Sequence, residues 1–553
     1  MKTTASGRPA RVAALALSVV VAASIAAPGA LNAGAAPRQA APVASGQDDL
    51  DRALQQGRVT VAQHALQRAL ALFDLDGVRA RFGSVAAPEP RSATLILRDL
   101  ALVLDELEGS DLRKAKQVLA RPDGGGGGVD YTTPNVRRRC TKHLCVHWVE
   151  TTDDRPPLAD DDGNNVPDWV ELTQQVLENA WSKEVGGMGF RAPKSDQTSN
   201  NNGGNGKLDV YLADIGGQGF YGFVTTDDPH ANPGSSYKYF DFSTYMVLDD
   251  DYAKSQFRGV AGASALRVTV AHEFFHSVQA AYDFAEDGWF MEGTATWMED
   301  QLYDAINDNL QYLNNSPLKK PSVPLDYFGS GFQYGNFIFW HYVSKRFSPA
   351  RPAKPLRRIW HWADGSPGGP DLYSLRAVAR VAQAEGSSLR ALFHGFGRCL
   401  LHPGACYNKG GRAYASRGHV PVEKLTLGPS TGRKKARVYS RDHLTTKYVL
   451  FDAGRDVGNK ARLRVFVDLP KFKKGPGASL VYRKSGGRIA HLPFKLSKSG
   501  DGVRFAPIGK ADHVYLVLSN GGSHFDCWRR TRFSCQGKPL DDNGHYGFRA
   551  SLR

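Results

Sequence analysis

The 553-residue chain lacks several features that mark membrane, zinc-finger and thiol-dependent proteins. Beyond its N-terminus it has no apolar run near the ~20 residues that a membrane-spanning helix needs. Its six cysteines show no C-x2-C spacing, which argues against a zinc finger, and their even number leaves no thiol over for a nucleophile. Internal repeats and nucleic-acid-binding motifs are also absent. With 41% apolar residues the chain can instead build about three folded units.

The N-terminus has the pattern of an export signal. Basic residues come first, at Lys2, Arg8 and Arg11. An apolar run from Val12 to Ala27 follows, and Pro28 interrupts it before it reaches the length of a membrane anchor. Small residues at Ala33 to Ala35 suit signal peptidase. We therefore expect residues 1–35 to be a signal peptide and the protein to be secreted and extracellular, with no transmembrane anchor.

Export places the cysteines in an oxidising compartment, where disulfides persist. The six fall into three close pairs, Cys140 with Cys145, Cys399 with Cys406 and Cys527 with Cys535. Six cysteines allow fifteen connectivities. Local pairing into three small loops is the arrangement that we predict.

A helical segment follows the signal. Residues 48–72 and 92–119 carry apolar side chains at three- and four-residue spacing, which predicts amphipathic helices. Five glycines, Gly124 to Gly128, and the basic run Arg137 to Arg139 come next. We interpret residues 36–123 as a helical prosegment and residues 124–139 as a linker with a processing site. An ordinary N-terminal domain with a linker is the alternative.

The rest of the chain predicts an α+β unit followed by an all-β unit. In residues 140–425 a strand-like stretch at 208–212 precedes helical stretches near 336–345 and 374–396. Residues 431–553 have short alternating apolar runs separated by turn residues, which is typical of a β-sandwich. These runs are Arg462 to Leu469, Ser479 to Arg483 and His513 to Leu518.

The positive charge of the chain is concentrated at its C-terminal end. Residues 431–553 contain 26 Lys and Arg against nine Asp and Glu, a net charge of +17 within a chain total of +15. Lys471 to Lys474 is the densest cluster. Such a unit suits docking to an anionic cell-wall polymer or polysaccharide, although a charge run is often only a solvated face. We expect no specific nucleic-acid partner.

The central motif is His272-Glu273-Phe274-Phe275-His276. On a helix, residues four apart lie on one face, so His272 and His276 can reach one metal ion while Glu273 stands beside it. The stretch from Leu266 to Tyr282 contains no Gly or Pro and predicts such a helix. The motif alone has low specificity, because a catalytic zinc needs a third protein ligand.

The residues that follow the motif distinguish between metallopeptidase classes. Metzincins would place Gly and His where this chain has Gln279 and Tyr282, so that class is excluded. The later stretch Trp289 to Glu299, WFMEGTATWME, resembles the gluzincin metallopeptidases, which carry a glutamate ligand in a W-x-x-E-G-x-A context. Clostridial-type collagenases and zinc aminopeptidases share that arrangement. HEFFHSVQ with EGTATWMED is most similar to a group of secreted bacterial metalloproteases.

The resemblance implies a role for each matching residue. Glu292 becomes the third zinc ligand. Glu299, which lies seven residues on and on the same helical face, becomes a partner of a ligating histidine. Some gluzincins have Asp at the position of Thr296, so this chain departs from the pattern there. A downstream aromatic helix resembles the tyrosine-bearing helix of several gluzincins, which makes Tyr334 the first candidate to stabilise the oxyanion and His341 the second. Three nearby acids are rival ligands, namely Asp283, Glu286 and Asp287.

These residues imply a zinc-dependent endopeptidase that acts on protein or peptide substrates, with Glu273 as general base. One alternative is an aminopeptidase or a zinc hydrolase of non-protein substrates, although the chain has no GxMEN-like motif to hold a free amine. A second alternative is a calcium-dependent adhesion or wall-binding protein with an inactive zinc site.

An acidic stretch before the motif has the spacing of an EF-hand or dockerin-like calcium loop. Its candidate ligands are Asp160, Asp162, Asn164, Asp168 and Glu171 through side chains and Val166 through its carbonyl. The pattern departs at Gly163, which stands at position 4 rather than 6, and Asn165 could take the left-handed turn instead. An acidic surface turn is the alternative. A second stretch, residues 201–209, has fewer acids and is more typical of a turn before a strand.

Overall fold

A computed structural model describes residues 48–124, 128–228, 239–257, 259–407, 414, 418–454, 456–458, 460–483, 488–509 and 513–553. The expected signal peptide lies outside these residues. The described chain is a mixture of helices and sheets with a β-rich C-terminal region, as the sequence predicts. We divide it into a helical unit (48–121), a central unit (128–407) and a sandwich (423–553).

Five helices make up the helical unit. They are α1 (Asp49–Gln55), α2 (Val61–Phe73), α3 (Leu75–Phe82), α4 (Ala93–Ala101) and α5 (Gly109–Val118). The two long helices predicted from periodicity are each divided. Gly57, with φ of 68°, separates α1 from α2, and Thr60 and Gln63 then begin α2 with a reciprocal capping box.

The central unit is built on one five-stranded sheet. Its strands are β1 (Arg137–Cys140), β2 (Leu144–Trp148), β3 (Leu208–Ala213), β4 (Gly222–Thr225) and β5 (Tyr245–Asp249), in the order β1-β2-β3-β5-β4. Strands β2, β3 and β5 run parallel, and both edge strands, β1 and β4, are antiparallel to their neighbours. Strand β1 contains the basic run that we expected in a linker, so residues 137–139 are part of the central sheet.

Helices cover both faces of this sheet. Tyr211 and Tyr245 point toward the helical unit, and their neighbours Val210 and Met246 point toward the main core of the central unit. This alternation follows from the two-residue period of a strand. A sheet buried on both faces carries near-continuous apolar strands, as β3 and β5 do. The helical unit is therefore packed onto the sheet rather than set apart from it.

Nine helices complete the central unit within the described residues. They are α6 (Asp168–Trp181), α7 (Gly262–Asp283), α8 (Gly288–Tyr303), α9 (Phe332–Gly335), α10 (Phe337–Phe347), α11 (Ala353–Ala363), α12 (Leu375–Ala384), α13 (Leu389–Leu400) and α14 (Pro403–Cys406). The predicted helical stretch at 374–396 is divided between α12 and α13 at Gly386, which has φ of 67°. Across the described ranges, no helix is both long and apolar enough to cross a membrane.

The C-terminal unit consists of two facing sheets and a short hairpin. Its strands are β6 (Glu423–Leu427), β7 (Lys434–Arg441), β8 (Thr445–Ala453), β9 (Arg462–Asp468), β10 (Pro476–Arg483), β11 (Ile489–Pro493), β12 (Gly502–Pro507), β13 (His513–Asn520), β14 (Phe525–Asp526), β15 (Lys538–Pro539) and β16 (Gly544–Leu552). The sheets have the orders β11-β10-β13-β8-β6 and β12-β9-β16-β7, and one apolar core lies between them. Strand β6 pairs with β8, so the first strand of the sandwich precedes residue 431, where we expected the sandwich to begin.

The three cysteine pairs are disulfide-bonded as predicted, Cys140 with Cys145, Cys399 with Cys406 and Cys527 with Cys535. Each bond closes a short loop within one unit. Contacts between units come instead from side chains, as where Tyr448 of the sandwich donates a hydrogen bond of 2.8 Å to the carbonyl of Gly397 on α13.

Candidate metal centre

Two adjacent helices, α7 and α8, carry the candidate metal ligands. The imidazoles of His272 and His276 lie on the same face of α7 with ring centroids 4.8 Å apart, as their four-residue spacing requires. The connection after α7 reverses the chain, and α8 then presents Glu292 to both rings. Glu292 Oε2 is 3.1 Å from His272 Nε2 and 3.6 Å from His276 Nε2.

The donor atoms of this group fit a metal ion. Ligand atoms of His272, His276 and Glu292 all lie within 4.8 Å of one another, and all three residues are buried. In the described structure, His276 Nε2 and Glu292 Oε1 are buried without a hydrogen-bond partner. Buried polar atoms are rarely left unpaired, and two imidazoles with one carboxylate are a donor set that zinc accepts.

The charge state of the group also suits a cation. Burial tends to raise the pKa of Glu292, but hydrogen bonding to His272 and the proximity of His276 hold that pKa at about 2. Burial lowers the pKa of His272, and the carboxylates of Glu292 and Glu299 outweigh it and raise the pKa to about 10. The ionised carboxylate of Glu292 and the acids around His272 therefore favour a positive charge at this group, whether a proton or a metal cation.

Each histidine is oriented through its other ring nitrogen. His272 Nδ1 is 2.7 Å from Glu299 Oε1, and His276 Nδ1 is 2.7 Å from Gln279 Oε1. Gln279 in turn donates 3.0 Å hydrogen bonds to the carbonyl of Met291 and the hydroxyl of Thr294, both on α8. Such partners set the tautomer and direction of a ligating imidazole. Glu299 thus lies beside the imidazole of one predicted ligand.

Two further predicted catalytic residues lie beside the group. Glu273 is buried, and its Oε2 accepts a hydrogen bond of 3.0 Å from Thr94. Tyr334, on α9, has its ring 6.2 Å from that of His272. Burial and the Glu292 carboxylate raise the pKa of Tyr334 well above its usual value, so its phenol keeps its proton and can donate.

His341 and the rival acids have contacts elsewhere. His341 Nε2 is 3.3 Å from Asp300 Oδ2, and its ring centroid is 6.3 Å from that of Trp297, both residues of α8. Glu286 accepts from the backbone of Ser374, and Asp287 accepts from the backbone of Cys535 in the sandwich. The third rival, Asp283, is at the end of α7.

The helical unit reaches into the same site. Ser92 and Tyr334 are joined by a 3.0 Å hydrogen bond between their hydroxyls. The guanidinium of Arg91 lies 4.3 Å from the centre of the Tyr221 ring and lines a small cavity with His272 and Glu273. None of these contacts is visible in the sequence, because each joins residues far apart in the chain.

The predicted calcium loop forms a compact exposed turn. The backbone N–H groups of Asn164 and Asn165 donate to the carboxylate of Asp160, at 3.1 and 2.8 Å. Asn165 has φ of 66°, the left-handed conformation expected for it. The Asn164 amide also donates to Asp162 and Glu171, each at 2.9 Å. These acids are not among the compact metal-ligand groups found in the described residues, so calcium here stays a prediction.

Other charged clusters lie away from the metal centre. Asp214, Asp249 and Asp250 gather at the carboxyl ends of β3 and β5, where burial and mutual repulsion raise the pKa of Asp250 to about 8. In the sandwich, the cluster Lys471 to Lys474 forms an exposed turn before β10, and Arg390 of α13 stacks 4.3 Å from the Phe472 ring.

Comparison with known proteins gives only distant neighbours. No family model and no curated protein matches the chain. The pre-peptidase C-terminal domain of a Bacillus anthracis collagenase is 13% identical, with a TM-score of 0.15, over 24% of this chain and 95% of that chain. Legionella pneumophila aminopeptidase A in complex with aspartic acid is 12% identical, with a TM-score of 0.32, over 69% of this chain and 37% of that chain. Some distant neighbours are thus peptidase-related, and scores this low carry no conclusion about this chain.

Proposed function

We propose that the protein is a secreted zinc-dependent endopeptidase, with His272, His276 and Glu292 as zinc ligands and Glu273 as general base. The observation that supports this most is the buried group of two imidazoles and one carboxylate, in which one imidazole nitrogen and one carboxylate oxygen have no hydrogen-bond partner in the described chain. Glu273 follows His272 directly, on the helix that carries both imidazoles.

Each residue has a defined part in peptide hydrolysis. A zinc ion held by the three ligands would supply Lewis acidity, polarising a carbonyl and making water a better acid. Glu273 takes one proton from the attacking water as its oxygen bonds to the scissile carbon. Glu273 then gives that proton to the amine nitrogen as the C–N bond breaks, so the base is restored.

Tyr334 supports the oxyanion that develops on the scissile carbonyl. Its phenol is protonated and buried beside His272, and a fixed donor in a dry site stabilises developing charge more than it would in water. His341 is the second candidate for this part, and its Nε2 lies 3.3 Å from Asp300 Oδ2.

The remaining features suit an exported enzyme. Three disulfides fit an oxidising compartment. The acidic loop at 160–171 is proposed to bind calcium and brace the chain against unfolding and self-cleavage, and the basic sandwich to dock on an anionic polymer. The helical unit is proposed to be a prosegment that makes the exported chain a zymogen.

The test combines metal content with casein hydrolysis, before and after removal of the prosegment. We compare wild type, Glu273→Gln, Glu292→Gln and a control, His361→Ala, at an exposed histidine of α11. We expect one zinc per chain in wild type, Glu273→Gln and the control, and little in Glu292→Gln. Hydrolysis should fall by about 10²–10⁴-fold in Glu273→Gln and be abolished by a chelator.

The possible outcomes separate the alternatives. Zinc without casein hydrolysis in processed wild type would favour a hydrolase of other substrates. Absence of zinc from wild type would overturn the proposal and leave calcium-dependent adhesion as the better hypothesis.

A further inference from the structure

The cleft beside the candidate metal centre is filled by the start of helix α4. Thr94 is 1% exposed and donates to Glu273 Oε2, the carboxylate of the proposed base. The Thr94 hydroxyl also accepts a hydrogen bond of 2.9 Å from the backbone N–H of Val224. One side chain therefore contacts both the base and the sheet edge nearest to it.

The contact with Val224 matters because β4 is an edge strand. Among the described strands it pairs with β5 alone, so its other backbone groups face away from the sheet. An exposed strand edge is where an extended peptide can add as a further strand. In this chain the outward N–H of Val224 is already satisfied by Thr94, and α4 packs along the strand.

Two neighbouring residues close the rest of the cleft. Ser92 shares a hydrogen bond with Tyr334, the proposed oxyanion donor. Arg91 lies over the rings of Tyr221 and Tyr312 at 4.3 and 5.3 Å, and its guanidinium is 3.5 Å from Asp308. The segment thus contacts both the proposed base and the proposed oxyanion donor.

The segment is anchored on both sides of these contacts. Arg98, four residues after Thr94, donates a hydrogen bond of 2.8 Å to the carbonyl of Glu286 in the α7–α8 connection. Further along, Arg121 is 1% exposed and paired with three acids of the central unit, namely Asp196, Asp209 and Asp227. A buried arginine with three carboxylates is costly to separate, because loss of it leaves uncompensated buried charge.

We propose that residues 91–94 are an internal inhibitor, which holds the base and the oxyanion donor and occupies the substrate edge until the segment moves or is cut. This rests on the proposed hydrolytic function. It gives the helical unit a regulatory role at the same site. The helical unit also covers one face of the central sheet, so displacement of the segment at 91–94 leaves that face covered, whereas removal of the whole unit uncovers it.

The test uses the full chain loaded with zinc and two readouts. The first is the rate at which 1,10-phenanthroline removes zinc, and the second is casein hydrolysis. Ser92→Ala/Thr94→Val removes the two hydroxyls with little change of volume, and Arg91→Glu places a like charge beside Asp308. The controls are Thr60→Val, which removes a hydroxyl at the α2 cap, and Arg68→Glu, which reverses an arginine paired with Asp48 and Asp51.

We expect zinc removal to be about ten-fold faster in both cleft variants than in wild type. The double variant loses three hydrogen bonds, from Ser92 to Tyr334 and from Thr94 to Glu273 and Val224, and Arg91→Glu replaces attraction to Asp308 by repulsion. Casein hydrolysis should rise by a similar factor, and both controls should behave as wild type. If Arg91→Glu does not fold, the result for Ser92→Ala/Thr94→Val tests the inference. Faster zinc removal without hydrolysis in any form would support the inhibitor segment and overturn the hydrolytic function.

Two results would overturn the inference itself. One is a wild-type chain that hydrolyses casein and releases zinc as fast as both cleft variants, which leaves the proposed function standing. The other is faster zinc removal in the controls as well, because the effect would then come from general loosening of the helical unit.

Discussion

The side-chain carbonyl of Gln279 lies 2.7 Å from Nδ1 of His276, one turn back along α7. The amide nitrogen of the same side chain bonds to two groups on α8, the helix that carries Glu292. Gln279 thus couples the orientation of one proposed ligand to the position of another. From the sequence alone, Gln279 indicated only that the metzincin pattern is absent.

Replacement of Gln279 by Leu should weaken zinc binding by about 10–100-fold, because a ligating imidazole loses the partner that sets its direction. Gln279→Glu, which keeps an acceptor for His276 Nδ1, should lose less. The measurement is a competition titration with a zinc chelator of known affinity. Gln383→Leu, at an exposed position of α12, is the control. Equal zinc affinity in Gln279→Leu and the control would show that Gln279 does not contribute to the metal site.

Tyr334→Phe should lower kcat by about 10²–10³-fold with zinc content unchanged, since one oxyanion donor is worth that much in other acyl-transfer sites. KM should change little, because the contact strengthens only in the transition state. Steady-state kinetics on processed protein measure both constants. Tyr303→Phe, a partly exposed tyrosine of α8, serves as the control. A pure KM effect would point to substrate binding instead.

His443 joins the sandwich to the central unit. Its ring nitrogens lie 2.8 Å from Asp326 and 2.6 Å from Asp542. Burial lowers the pKa of His443, and the two carboxylates outweigh it and raise the pKa to about 10. The unfolded value is about 6.5, so the folded state binds the proton more tightly. The stabilisation is fully present below that pH and is lost as pH rises toward 10.

We therefore expect the wild-type protein to lose more unfolding free energy between pH 6 and pH 9.5 than His443→Gln does. Urea unfolding at the two pH values measures it. His361→Gln, at an exposed histidine, should follow wild type. The same pH dependence in His443→Gln and wild type would show that this pair contributes nothing measurable.

The acidic loop at 160–171 gives a prediction on stability. Millimolar calcium should raise the Tm of wild type and leave that of Asp160→Ala/Asp162→Ala unchanged, because binding to the folded state alone stabilises it by mass action. Differential scanning calorimetry with calcium or with a chelator measures the shift. Asp76→Ala, at an exposed position of α3, should respond as wild type. Full loss of hydrolysis in the folded double variant would contradict a purely structural role.

The charge of the sandwich predicts salt-dependent docking. The full chain should be retained by an anionic polysaccharide at low salt and released at high salt, where the Debye length is short. Reversal of Lys471, Lys473 and Lys474 to Glu should weaken retention more than reversal of Arg137 and Arg138 in β1. Equal elution of all forms at low salt would end the docking hypothesis.

Much of the candidate site follows from local sequence. The four-residue spacing of His272 and His276 sets their common face, because a helix repeats every 3.6 residues. Asn165 adopts the left-handed conformation expected from its place in the acidic loop. The three disulfides also follow from spacing, since residues five to eight apart can meet within one turn. The strands of the sandwich were similarly visible in their two-residue alternation.

Only the tertiary structure determined the contacts between residues that are far apart in the sequence. The approach of Glu292 to both imidazoles depends on how α8 packs against α7. The contact of Thr94 with Glu273 joins residues 179 positions apart. A helical pattern predicts that α4 buries an apolar face, but many surfaces could accept that face equally well. The packing of the helical unit on the central sheet is what brings Thr94 to the base. The periodicity of the sequence does not specify the surface on which that unit packs.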